Sequence, residues 1–546
     1  MTERIKSLLE RTFDKEQKKF RRDVDWRPLL ERFVADGTSD VARARIGLEE
    51  MLKAETPAFM DGERLAFLRT VKQIPDLHTD EEMAARRAAG TAFGEKGVIF
   101  NLTADFAPTI RDGLDARLAE MEARLSKCRG ECDAEGVEFL ENAMLSAKAV
   151  IELAERYDAA GAARPSYQTV APALRNGART LHEALQSLRI LHYAMWCEGE
   201  YHCGRGRIDQ YLYPYYDADN KAGRLTEETA LEEIEEFFIA CNRDSDLYIG
   251  VQQGDNGQSV MLDGVTRDGK PAFNDLSRLC LKACGELKLV DPKINLRVDK
   301  STPLEIYELG TELTKEGLGF PQYANDDVVI PALQRWGYQL EDARDYSVAA
   351  CWEFLIPGCG MDINNIDAVS FVGALDRALR NLAQRRRGAE GGLRYEDVEK
   401  KFFAEIQRRA DALVKKYAHV EILPGPFVSV LSTGCIARAR DLSKGGKYNN
   451  FGIHGTGLAV AVDSLASVRE LVFEKKLVTL EELVKLLDTD FAGRPDVLAA
   501  VKAAPKMGNA DSRVDDLAKE LVAFWGHAFD GKRNDRGGDN RPHPRK

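Results

Sequence analysis

The sequence predicts an α/β protein, and three observations carry that prediction. Through residues 1 to 200 apolar side chains return every three or four positions, the mark of amphipathic helices. Between the later helical stretches lie short runs rich in β-branched and aromatic residues, each the length of a buried strand. No internal repeat, long linker or apolar run near the ~20 residues of a membrane span interrupts this alternation. Strands separated by long helices call for a central sheet or barrel with its site at strand ends and loops. The 546 residues read as one large domain.

Taken in order, Leu114, Leu118, Met121 and Leu125 share one helical face, and residues 137–157 continue the pattern. Strands are expected at 259–262, 293–298, 348–351 and 427–431. Thr302 with Pro303 reads as N-cap and first helical position, and Gly317 as the stop after a helix over 304–316. Thr479 with Glu482 forms a capping box for a helix running to about Asp488. The stretch 385–392 is low in complexity and reads as an exposed loop.

Composition narrows the function. A net charge of −12 opposes wrapping of nucleic acid, which needs a basic surface to displace counterions. The start, Met1 to Arg11, is charged throughout and lacks the apolar core of a signal peptide, so a cytoplasmic protein with no membrane partner is expected. Ten scattered cysteines suit reduced thiols rather than a disulfide framework. The tail 532–546 is basic, with Lys532, Arg533, Arg536, Arg541, Arg545 and Lys546, and reads as solvated or partner-facing.

Most chemical motifs are absent. There is no P-loop, and Gly455-Thr456-Gly457 lacks the context of a dinucleotide site and reads as a turn. The pairs Cys128/Cys132 and Cys280/Cys284 lack further ligands for a zinc or iron–sulfur centre, so no metal or tightly bound cofactor is expected. His182 and His192 read as structural and His454 as packing in a loop. Cys351 and Glu353 stand two residues apart on a short segment closed by Pro357-Gly358, a spacing that in a strand aims thiol and carboxylate at one face. On composition alone the thiol reads as a core cysteine.

Long-range features reverse that reading. Leu181–Gln186, Gly206-Arg207-Ile208-Asp209-Gln210-Tyr211-Leu212-Tyr213-Pro214, Gly223-Arg224-Leu225-Thr226, residues 325–331 and 341–346, Asp463-Ser464-Leu465, Gly508-Asn509 and Val514-Asp515-Asp516 occur in the order found in the glycyl radical enzymes. Over residues 20 to 541 the chain resembles that family, which includes pyruvate formate-lyase and the radical diol, choline and hydroxyproline lyases.

The resemblance implies a ten-stranded α/β barrel of two half-barrels, here incomplete, with residues 1–541 as the cysteine-loop portion and 542–546 as a basic tail. It implies that a glycyl radical takes hydrogen from Cys351, that the thiyl then attacks a substrate carbon, and that Glu353 is the general base. Acyl transfer is disfavoured because Ala350, not a second cysteine, precedes Cys351. Trp352 and Phe354 replace smaller residues and are expected behind the loop. Asn101, Arg205, Asp209 and Cys203 are the candidate substrate ligands.

The sequence to Lys546 lacks the family's Arg-Val-x-Gly-Tyr segment, and three explanations stand beside the resemblance: a separate glycyl-radical-bearing subunit, which the intact Cys351–Glu353 pair favours, a truncated or frameshifted gene product, or a non-catalytic relative. A radical SAM activase using S-adenosylmethionine and an iron–sulfur cluster would install the radical. The expected activity is cleavage of a C–O, C–N or C–S bond in a small hydroxylated substrate. The alternatives are a radical decarboxylase component or a non-catalytic binding scaffold. Homo-oligomerisation is left open.

Overall fold

A computed structural model describes residues 1–89, 101–200, 202–244, 246–247, 257–360, 362–385 and 392–544. The expected loop at 385–392 lies almost wholly outside the described residues. The chain divides into two compact units. One spans Met1–Asp362 with Glu421–Tyr448, the other Ile363–Val420 with Asn449–Lys546.

In the first unit, β1 (Leu102–Thr103) pairs in parallel with β2 (Cys203–Gly204), and β3 (Ser259–Asp263), β4 (Lys293–Val298) and β5 (Gln322–Asn325) form a parallel sheet in that order. A single parallel bridge from Gly206 to Val260 places β2 beside β3, so the five strands run side by side. The helices Asp275–Leu287 and Leu304–Lys315 form the crossovers that parallel neighbours require. An antiparallel hairpin of β6 (Ser347–Ala349) and β7 (Glu353–Leu355) follows. In the second unit, β8 (Ile363–Ser370), β9 (Phe451–Thr456) and β10 (Asn540–Pro544) form a parallel sheet with β9 in the centre. Among the described residues these pairings do not close into a ring.

The expected strands at 259–262 and 293–298 are β3 and β4. The capping box at Thr479 and Glu482 opens the helix Leu480–Asp488. The helical face predicted from Leu114 lies in Phe106–Gly130, which breaks at Gly113. There φ is +79°, and a side chain would meet the Arg175 carbonyl at 2.0 Å.

Other expectations need correction. Residues 427–431 are not a strand but the helix Pro426–Val430 and its C-cap: Pro426 occupies the first turn, where its missing N–H costs nothing. Thr302 does not cap its helix, since its hydroxyl accepts from the Asp299 N–H at 2.8 Å while Pro303 takes the cap position. His454 lies in β9, not a loop, and Gly455-Thr456 end the same strand before the turn at Gly457. The segment expected as a basic tail contains β10, whose register with β9 runs from Asn540–Phe451 to Pro544–Gly455.

The core of the first unit centres on Leu181–Cys197, a helix buried around almost its whole circumference. His192 on it donates from Nε2 to the Cys203 carbonyl, 3.0 Å away, and burial, then Arg205, holds its imidazole neutral. In the second unit Trp525 packs edge-on against Phe371, with ring centroids 5.4 Å apart. No helix among the described residues is long and apolar enough to cross a membrane.

Candidate active site

The β6–β7 hairpin pairs Ser347 with Leu355, Val348 with Phe354 and Ala349 with Glu353, leaving Ala350, Cys351 and Trp352 as its tip. Cys351 is therefore not in a strand, and alternation does not bring it to Glu353. The turn does. Glu353 Oε2 accepts hydrogen bonds from the backbone N–H groups of Cys351 and Trp352, both at 2.8 Å. These two donors would otherwise be unpaired in a tight tip, and a charged acceptor suits them well. The carboxylate is 7% exposed while the Cys351 side chain faces solvent.

Ala350 adopts φ +54°, a left-handed conformation uncommon for a residue with a Cβ. Three contacts hold it there. Its N–H donates to the Gly257 carbonyl at 3.3 Å, its carbonyl accepts from Ser259 Oγ at 2.8 Å, and Gly257 lies so close that a Cβ there would sit 2.6 Å from Ala350 Cα. Phe354 meets Trp352 at 5.6 Å and Tyr346 edge-on at 5.3 Å, so the hairpin carries a short aromatic row.

The hairpin is anchored at its open end. Arg297, fully buried on β4, makes a bidentate pair with Asp326 at 2.9 and 2.8 Å, donates to the Arg344 carbonyl at 2.7 Å and lies 4.1 Å over the Tyr346 ring. Tyr346 donates to the same carboxylate at 2.7 Å.

The other sequence candidates fall in distinct places. Asn101 is buried just before β1, its Oδ1 3.1 Å from His202 Nδ1. Cys203 is buried on β2 with its Sγ 2.6 Å from the Glu200 carbonyl, and burial, then Glu200, pushes its thiol well up. Gly204 brings β2 against the hairpin: a Cβ there would lie 2.6 Å from the Val348 carbonyl oxygen. Arg205 is fully buried, hydrogen-bonded to Gln258 and lying 5.0 Å over Phe237. Asp209 is also fully buried, its Oδ2 accepting from the Asp263 N–H at 2.8 Å and Ser277 Oγ at 2.7 Å, and burial raises its carboxyl.

Sequence reasoning thus found the thiol and carboxylate but missed Gly257, Ser259, Arg297 and Asp326, which set their position. Only Asp326 had a signal, as part of the 325–331 motif. Among the described residues no group of three or more His, Cys, Asp or Glu side chains is arranged to hold a metal ion. What the arrangement can do is present one thiol at a fixed backbone position, with a carboxylate oxygen, Glu353 Oε1, that no hydrogen-bond donor among the described residues occupies.

Comparison with known proteins fits this geometry. The chain is 29% identical over 388 residues to the (2S)-3-sulfopropanediol dehydratase of Klebsiella oxytoca, covering 67% of this chain and 47% of that protein. It is also 29% identical over 464 residues to the isethionate sulfite-lyase of Bilophila wadsworthia, covering 76% and 55%. The chain spans about half the length of the curated relatives it matches. In fold it resembles the glycerol-bound B12-independent glycerol dehydratase from Clostridium butyricum, with a TM-score of 0.84 at 23% identity over 99% of this chain and 80% of that one. The pyruvate formate lyase-like family model matches residues 70–544, and the chain belongs to that family of glycyl radical enzymes.

Proposed function

We propose that this chain is the thiyl-bearing component of a glycyl radical lyase or dehydratase that cleaves a C–O, C–N or C–S bond beside a hydroxylated carbon of a small molecule. The supporting observation is the hairpin tip, where the Cys351 thiol is offered on a backbone whose two N–H groups are tied to Glu353. The kinship to a sulfopropanediol dehydratase and a sulfite-lyase favours elimination.

In this reading the radical glycine takes the hydrogen atom of the Cys351 thiol, and the thiyl takes one from the substrate carbon bearing the hydroxyl. Glu353 Oε1 accepts the hydroxyl proton as the leaving group departs with its bonding electrons from the neighbouring carbon. The product radical then recovers the hydrogen atom from Cys351. Two hydrogen bonds at Oε2 fix the carboxylate, so the base does not have to be ordered at the moment of reaction.

Asn101 is the substrate ligand we carry forward, with Cys203 lining the same strand pair. Arg205 and Asp209 brace the scaffold. The glycine resides on a separate polypeptide and is activated by a radical SAM enzyme in the arrangement we propose. Residues 1–541 then act as one cysteine-loop portion.

The test is anaerobic reconstitution with a glycine-motif partner and an activase, followed by Cys351→Ser. Turnover of hydroxylated substrates should vanish while the glycyl radical signal in electron paramagnetic resonance persists. Retained turnover in that variant would refute the assignment.

A further inference from the structure

Asp345 lies two residues before the strand register of the hairpin and Pro357 two residues after it, and both line a cavity of about 300 Å3 at the end opposite the Cys351 tip. Asp105 and Phe106 after β1, Arg207 after β2 and Arg267 after β3 complete its polar and apolar walls. None of these residues belongs to the proposed chemistry.

The charges in this wall are incompletely matched. Asp345 is shared between two guanidinium groups, Arg207 at 3.1 Å and Arg267 at 3.1 Å, and Arg267 also pairs with Asp342. Arg207 is 4% exposed and spends its terminal nitrogens on Asp345 and on the Asp263 carbonyl at 2.9 Å, yet its Nε–H meets no acceptor. Asp105 stands at the N-cap position of Phe106–Gly130, its carboxyl held only by the Ala107 backbone N–H and in no salt bridge with another described residue. It is half-buried, and burial, then Asp345, pushes its carboxyl up to about 6. A carboxyl with no cation partner and a buried guanidinium N–H with no acceptor among the described residues thus line one cavity, each costly to leave unmatched.

One ligand class answers both. We propose that this cavity binds a small amino acid as its zwitterion, with the ammonium on Asp105 and the carboxylate on Arg207 Nε and Arg267. A simple cation would leave the Arg207 Nε–H unmet, and a simple anion would face Asp105. The apolar faces of Phe106, Tyr211 and Pro357 take the ligand's carbon atoms.

The experiment is ligand-observed NMR on the full chain with the common amino acids, using methylammonium and acetate as half-ligand controls. At least one amino acid should bind saturably, and each half-ligand should bind at least about tenfold more weakly, as charge-assisted contacts at both ends predict. Asp105→Asn should weaken that amino acid by about tenfold or more, and Arg267→Ala should weaken it while leaving methylammonium unaffected. Both variants keep Arg207 and the hairpin, and circular dichroism will establish that they fold. No saturable amino acid, acetate or methylammonium binding as tightly as the zwitterion, or unchanged affinity in folded Asp105→Asn would each overturn the proposal.

Discussion

At the tip of the cysteine hairpin one carboxylate, Glu353, gathers two backbone N–H groups around a solvent-facing thiol. At the base, Arg297, fully buried, ties Asp326, Tyr346 and the Arg344 carbonyl into one network. The tip is fixed by few bonds and carries a strained residue, whereas the base is fixed by many and carries buried charge. The difference assigns placement of the thiol to the tip and resistance to unfolding to the base, and substitutions at each end should separate the two.

The largest effect belongs to the base. Arg297→Met leaves Asp326 buried without its cation, and denaturant unfolding should show a loss of about 3–5 kcal/mol, the usual result of removing one partner of a buried pair. At the tip, Glu353→Ala removes the acceptor of two N–H groups and should cost about 2–3 kcal/mol. Glu353→Gln keeps one amide oxygen for those groups, so it should retain most of the stability while turnover of the reconstituted enzyme stops. Equal stability losses in the Ala and Gln variants would show that the tip does not depend on the hydrogen bonds.

Stability should also respond to pH through groups near the base. Near the base, burial pushes Asp105 up to about 6 and Asp263 up to about 7. The folded state therefore holds protons that the unfolded state has released, so stability declines as pH rises from about 4 through 7. Between pH 5 and 8 these groups should cost roughly 1–3 kcal/mol, and Asp263→Asn should flatten that slope in pH-dependent melting. Asp40 and Asp246 act oppositely: against burial, His78 and then Arg86 hold Asp40 near 2 and Arg69 helps hold Asp246 near 2, and their contribution is lost as pH falls below about 4.

The smallest effect is at Ala350. Glycine there relieves the left-handed conformation, so Ala350→Gly should change stability by less than about 1 kcal/mol, with the relief partly cancelled by a freer unfolded chain. Alkylation of Cys351 in that variant should become faster if the tip loosens.

Local signals in the sequence were legible and distant ones were not. The Thr479–Glu482 box could be read because both partners lie within one turn. The apolar run at 427–430 suits strand or helix equally, and Pro426 decided it by favouring a helical first turn. The Cys351–Glu353 pair was visible, but the contact that aims it comes from Ser259, 91 residues away, and no spacing rule reaches that far. Asp209 shows the converse: its Oδ2 answers Ser277, 68 residues on, a contact that no local spacing in the sequence announces. β3 and β4 were legible from their own runs of residues, whereas the short strands β1, β2 and β5, the pairing of the five and the division into two units depend on contacts that only folding creates.

That division is not sequential, since the chain passes between the units at 362/363, 420/421 and 448/449. Neither unit can be excised as one uninterrupted piece. A fragment ending at Asp362 would forfeit residues 421–448, and with them the Phe427 and Val428 N–H groups, 2.9 and 2.8 Å from Glu198, that receive this buried carboxyl. Dissection of the protein therefore calls for a linker joining 362 to 421, a graft rather than a cut.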